Sequence, residues 1–187
     1  VSYNSRGYFY RETESLEEAV ADFRRAIELA PEWPAPYNNL GYTLNRLGRA
    51  AEAVEPLREA IALDPDWAWP RNNYGNALRD LGRIGEAIEQ YRHALTADPD
   101  YFVAYYNLGL LYSEELDQHE RAIEYLQETT ELHPDYRSAH YQLGKIRYYH
   151  LEELEAAAAA LDRALEINPD HAPSLFLRGR IEYDTGN

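Results

Sequence analysis

Residues 37–65 read YNNLGYTLNRLGRAAEAVEPLREAIALDP. Apolar and small residues recur there at steps of three and four: Tyr37, Leu40-Gly41 and Leu44, then Ala53, Leu57 and Ala60. Steps of that size place residues on one face of a 3.6-residue turn, so the stretch encodes two amphipathic helices. Gly48 separates them, and Pro65 ends the second, because proline cannot continue the hydrogen-bond ladder. Gly41 and Ala53 carry no bulk, which lets the two backbones approach closely while Leu57 fills the remaining space. Pro56 lies inside the second helix and is expected to bend it slightly. Two short helices with one apolar face each bury little alone, so the pattern demands neighbours of the same kind.

The rest of the chain supplies them. Pro31, Pro65, Pro99, Pro134 and Pro169 are spaced by 34, 34, 35 and 35 residues. A glycine precedes each proline by 24 or 25 residues (Gly7, Gly41, Gly75, Gly109, Gly144), and Gly179 opens a sixth, partial unit. Ala19, Ala53, Ala87, Ala122 and Ala157 stand 12 residues before the prolines, followed four later by Phe23, Leu57, Tyr91, Leu126 and Leu161. This predicts a first helix, A, over 2–13, 35–47, 69–81, 103–115, 138–150 and 172–184. A second, B, is predicted over 16–30, 50–63, 84–97, 119–132 and 153–167. Pro34, Pro36, Pro70 and Pro173 fall in first turns of A, where proline is tolerated. The fourth and fifth units carry one extra residue and lack the turn glycine, which places the insertion in their A–B turns. Arg6 and Arg178 replace the leucine before glycine at the two ends, as expected where a repeat array meets water.

The order aromatic, Leu-Gly, Tyr, Ala, Phe, Ala, Pro resembles the tetratricopeptide repeat over the whole chain. The resemblance implies an all-α fold, a right-handed α-solenoid of antiparallel helix pairs with about five and a half repeats. The repeats run over 1–33, 34–67, 68–101, 102–136, 137–171 and a partial 172–187, forming a single domain. It also implies that the A helices line a concave groove in which a partner lies as an extended peptide. Two residues before each glycine stand Ser5, Asn39, Asn73, Asn107, Gln142 and Leu177. The three asparagines resemble the ladder of O-GlcNAc transferase repeats, and an amide suits that role because it both donates and accepts to any peptide backbone. Three before the glycine come Asn38, Asn72, Tyr106 and Tyr141; one after it come Tyr42, Asn76 and Lys145. Six before it stand Val1, Ala35, Trp69, Val103, Ser138 and Pro173. Trp69 is the expected anchor of this set, since aromatics on an accessible wall dominate binding. Trp33, Trp67, Tyr101 and Tyr136, two after the prolines, are expected to pack at the joints. The positions at which chaperone-tail adaptors carry cations hold Asn38, Tyr42, Asn73, Trp69 and Val103, so a chaperone tail is not the expected ligand.

Charge narrows the partner further. The formal net charge is −15, which repels nucleic acid and anionic lipid. Five cations on the groove positions (Arg11, Arg46, Arg79, Lys145, Arg180) face three acids (Glu12, Asp80, Glu114), so the acid lies mostly outside. The expected partner is therefore a protein or peptide segment, neutral to mildly acidic, with no nucleic acid, no membrane insertion and a possible homo-oligomer. Cytoplasmic residence is the default. The chain has no cysteine and no methionine, not even a first one, which suggests a piece of a longer protein. No nucleophile elbow or phosphate loop occurs, and the six histidines form no i, i+4 pair, so the chain is expected to be no enzyme and to hold no metal or cofactor. Two other roles remain open: self-assembly through the end helices, with Leu175, Phe176 and Ile181 as an apolar edge, and a regulatory arm of a larger enzyme. Lysine-poor acidity also suggests a salt-adapted surface.

Overall fold

The computed structural model describes residues 2–186, and Val1 and Asn187 lie outside the described residues. It is all-helical, with eleven helices among those residues: α1 (Ser2–Glu12), α2 (Leu16–Leu29), α3 (Pro34–Arg46), α4 (Ala50–Leu63), α5 (Ala68–Asp80), α6 (Ile84–Ala97), α7 (Phe102–Glu114), α8 (His119–Leu132), α9 (Arg137–Tyr149), α10 (Leu154–Ile167) and α11 (Ala172–Thr185). Odd-numbered helices are the A helices and even-numbered ones the B helices. α4 runs unbroken through Pro56. None of the helices is long and apolar enough to cross a membrane.

The A–B pairs are held by one repeated contact. A methyl group on Gly75 would come within 2.6 Å of Tyr91 Cε1; on Gly7 it would meet Phe23 at 2.8 Å, on Gly109 Leu126 at 2.7 Å, and on Gly144 Leu161 at 2.6 Å. Gly41 meets Leu57 in the same way. The large B-helix residue thus rests on bare A-helix backbone, which is why the two types recur together. Gly179 on α11 has nothing within 4 Å of that position.

The A–B turns carry the insertion where the spacing puts it. In the first three repeats the turn closes five residues back, through Ser15 N–H to Tyr10 O, Arg49 N–H to Leu44 O and Arg83 N–H to Leu78 O, at 2.8–2.9 Å. In the fourth and fifth it closes six back, through Gln118 N–H to Tyr112 O at 2.8 Å and Glu153 N–H to Arg147 O at 3.0 Å. Each turn needs one left-handed residue. Gly48 and Gly82 supply it at φ +71° and +72°, whereas Glu14, Asp117 and Glu152 hold φ of +62°, +54° and +54° without being glycine.

The chain forms two compact units, 1–101 and 102–187. The first buries a core of Ala19, Val20, Phe23, Leu40, Leu44, Ala50, Ala53, Leu57 and Ala77. In the second, Ala157, Leu161, Leu177 and Ile181 form a cluster flanked by Tyr141 and Tyr148. The end arginines are paired: Arg6 donates two 2.6 Å hydrogen bonds to the buried Asp22, and Arg178 donates to Asp162 at 2.7 Å. Within the first unit the backbones of α1 and α3, and of α3 and α5, come close, while those of α2, α4 and α6 stay apart, with α2 and α4 reaching each other through the Arg24–Glu52 ion pair at 3.5 Å. In the second, α7 touches α9 and α9 touches α11, while α8 and α10 stay apart. The A helices therefore line the inner side of each unit.

Candidate peptide-binding walls

The wall of the first unit is built on α1, α3 and α5. Asn39 donates from Nδ2 to Asn4 Oδ1 at 3.0 Å, and Asn73 donates from Nδ2 to Asn38 Oδ1 at 2.8 Å. These bonds join each asparagine two before the glycine to the asparagine three before the glycine of the preceding repeat. Their geometry is that of a staple between repeats. Asn38, Asn72 and Asn73 are buried, at 4%, 2% and 6% exposure, and Asn39 is half-buried. Asn38 and Asn72 were expected on the groove surface, and the structure puts their side chains behind it. Asn45 adds a further tie, donating from Nδ2 to Asn73 O at 2.9 Å. Asn76 accepts the hydroxyl of the fully buried Tyr91 at 2.8 Å, so its carbonyl serves the interior.

What this wall offers to solvent is aromatic and cationic. Trp69 is 55% exposed and its ring stacks on Tyr101, with centroids 6.1 Å apart and planes 24° from parallel. Tyr42 is 36% exposed and acts electrostatically on the Tyr101 hydroxyl, whose pKa is pushed above its ordinary value chiefly by burial. The Arg11 guanidinium lies 4.3 Å from the Tyr8 ring centre and 5.0 Å from that of Tyr42, and donates to Asn39 Oδ1 at 3.4 Å. Tyr101 was read as joint packing, and its stacking under Trp69 has no marker in the spacing, because residues 69 and 101 belong to opposite ends of one repeat. The cations are locally matched: Arg11 with Glu12 at 3.2 Å, Arg79 with Asp80 at 3.2 Å, and Arg46 with Glu14 at 2.7 Å. Glu14 lies in the α1–α2 turn and is not among the groove positions counted in the sequence.

The second unit presents α7, α9 and α11. Tyr106 is half-buried and set edge-on to Tyr136 at 5.1 Å and 87°, with Gln142 and Ser138 beside its hydroxyl. Burial holds that hydroxyl above its ordinary pKa. Asn107 is buried at 8% exposure. Tyr141 stands edge-on to His171 at 5.3 Å, Lys145 is half-buried on α9, and the Tyr148 hydroxyl donates to Asp184 at 2.6 Å. Tyr149, Phe176 and Tyr183 are the exposed aromatics of this unit, at 51%, 61% and 83%.

Comparison with known proteins agrees with this architecture. Tetratricopeptide repeat family models match residues 1–66, 114–172 and 147–187, and a TPR repeat model matches residues 75–114. No curated protein sequence matches the chain. Among solved structures, Pseudomonas aeruginosa pilF is 24% identical, with a TM-score of 0.86 over 99% of this chain and 83% of that one. PilW, described as a widely conserved type IV pilus biogenesis factor, is 23% identical, with a TM-score of 0.85 over 99% of this chain and 85% of that one. YrrB, described as a TPR protein with an unusual peptide-binding site, is 22% identical, with a TM-score of 0.67 over 96% of this chain and 91% of that one. With its glycine-seated helix pairs repeated from end to end, the chain belongs to the tetratricopeptide repeat family.

Proposed function

We propose that the chain is a non-catalytic binding scaffold that takes an extended, neutral to mildly acidic peptide segment along its A-helix face. The observation that carries this reading is the exposed Trp69 ring, stacked on Tyr101 beside Tyr42. Apolar aromatic surface held rigid in this way loses little entropy on contact and is the common anchor of protein interfaces. Around it, Arg11 and the remaining amide hydrogen of Asn39 supply polar contacts for a backbone, since an amide nitrogen carries two hydrogens and only one is engaged with Asn4. In the second unit, Tyr141, Gln142 and Lys145 are the corresponding candidates. The locally paired arginines give the first wall little net field, which suits a ligand of low charge.

The test uses peptides selected from a random library on the intact chain, measured against wild type, Trp69→Ala and Tyr42→Ala. Trp69→Ala is expected to weaken binding tenfold or more, about 1.4 kcal/mol, with the melting temperature unchanged. Unchanged affinity in both variants would move the site off this face. Replacing Asn73 is a poorer test, because its buried bond to Asn38 ties binding to stability.

A second reading, self-assembly, is favoured by the bare face of α11. Gly179 is uncovered, Leu175 and Phe176 are 50% and 61% exposed, and a trough of about 420 Å³ opens between Leu154, Ala158, Arg178 and Ile181. A second copy seated there would give a mass that rises with concentration in light scattering; a constant monomer mass would remove this reading.

A further inference from the structure

Three side chains that no sequence spacing brings together meet in the second unit. His119 opens α8 and is buried; His150 follows the end of α9 and is exposed; Asp117 lies in the longer turn between α7 and α8. Asp117 Oδ1 is 2.8 Å from His119 Nε2, and the two imidazole rings face each other with centroids 3.8 Å apart. One nitrogen or oxygen from each of the three lies within 4.8 Å of the others. We propose that Asp117, His119 and His150 form a binding site for one divalent transition-metal ion, with Zn²⁺ the foremost candidate.

The donor set points to that class. Two imidazoles with one carboxylate suit zinc, cobalt, nickel and copper, whereas calcium and magnesium take oxygen shells. The buried ring is oriented as a ligand should be. Ser113 Oγ lies 3.4 Å from His119 Nδ1, so the far nitrogen has a polar partner while Nε2 faces the carboxylate. An outer partner of this kind fixes the ring and raises its basicity toward a metal. The two rings, 3.8 Å apart and tilted by 30°, stand beside the Asp117 carboxylate, a grouping that one dication would hold together.

Closure requires one movement. Metal–nitrogen bonds of about 2.0–2.1 Å set tetrahedral ligands roughly 3.4 Å apart, and the Asp117–His119 pair already lies inside that separation. His150 is exposed at a helix end, so rotation of its side chain brings in the third donor without backbone change. The fourth position stays open to water. Both longer turns contribute: the ion joins the A–B turn of the fourth repeat to that of the fifth. The expectation of no metal rested on the missing i, i+4 histidine pair, and here the two histidines come from different repeats.

The experiment takes the full chain, freed of metal by chelator dialysis, and titrates it with Zn²⁺ by calorimetry and with Co²⁺ by visible absorption. The expected result is one equivalent bound with a rise in melting temperature, at least tenfold weaker in His150→Ala and in Asp117→Asn, and unchanged in His93→Ala, whose imidazole is exposed on α6. His150→Ala keeps the test valid if substitution of the buried His119 prevents folding. No saturable uptake, or His150→Ala binding zinc as tightly as wild type, would overturn the assignment.

Discussion

Tyr91 shows what a single residue must bring with it. The other repeats seat Phe or Leu on the A-helix glycine; here a phenol takes the place, fully buried, and its hydroxyl needs an acceptor. Asn76 provides it at 2.8 Å, one residue after the glycine, where neighbouring repeats carry Tyr42 and Leu110. Burial raises the Tyr91 pKa well above its ordinary value of 10.0. The folded chain therefore keeps this proton while the unfolded chain releases it, so the contribution to stability is whole below about pH 10 and is lost as pH rises above it. Tyr91→Phe is expected to be about 1 kcal/mol less stable at pH 7. In alkaline urea melts the gap to wild type should narrow; a gap that stays constant to pH 11 would mean the hydroxyl does not titrate with folding. The glycine–large residue pairs were legible in the sequence because 16 or 17 residues always separate them. The asparagine column was legible as a column, but not its pairing, since Asn38 with Asn73 and Asn4 with Asn39 meet 35 residues apart and an amide looks the same facing a peptide or facing another amide.

At the scale of the element, helix bounds follow directly from proline and the apolar period, and the observed ends fall within about a residue of those expected. The turns were legible only in length. The extra residue shows as a change of closure from five to six residues back, yet nothing in the string marks Glu14, Asp117 and Glu152 as left-handed. A side chain there clashes with its own backbone by roughly 1–2 kcal/mol. Glu14 has a compensating pair with Arg46 at 2.7 Å, and among the described residues Glu152 makes no such pair. Glu152→Gly should therefore raise stability by about 1 kcal/mol in urea denaturation. A loss of stability would show that the side chain at 152 holds the turn in some other way.

For the molecule as a whole, charge outweighs any single ion pair. Most of its salt bridges are exposed Arg–Glu contacts such as Arg83–Glu86 at 2.6 Å and Arg163–Glu166 at 2.6 Å, each worth about 0–1 kcal/mol. Against them stands self-repulsion from a net −15. Salt shortens the screening length from about 10 Å at 0.1 M to 3 Å at 1 M, which relieves long-range repulsion more than contacts already at hydrogen-bond distance. The melting temperature is expected to rise between low and molar sodium chloride. A flat or falling curve would put the local pairs ahead of the net charge and dismiss the salt-adapted reading.

The two compact units differ in one optical respect. Trp33, Trp67 and Trp69 all lie in the stretch 1–101, and the one lysine side chain, Lys145, lies in 102–187. Indole emission therefore watches the first unit alone. An acylated fluorophore on Lys145 watches the second, from the wall that would meet a ligand. One labelled sample then reports in two colours whether the repeats melt together or in turn, and which wall a ligand touches.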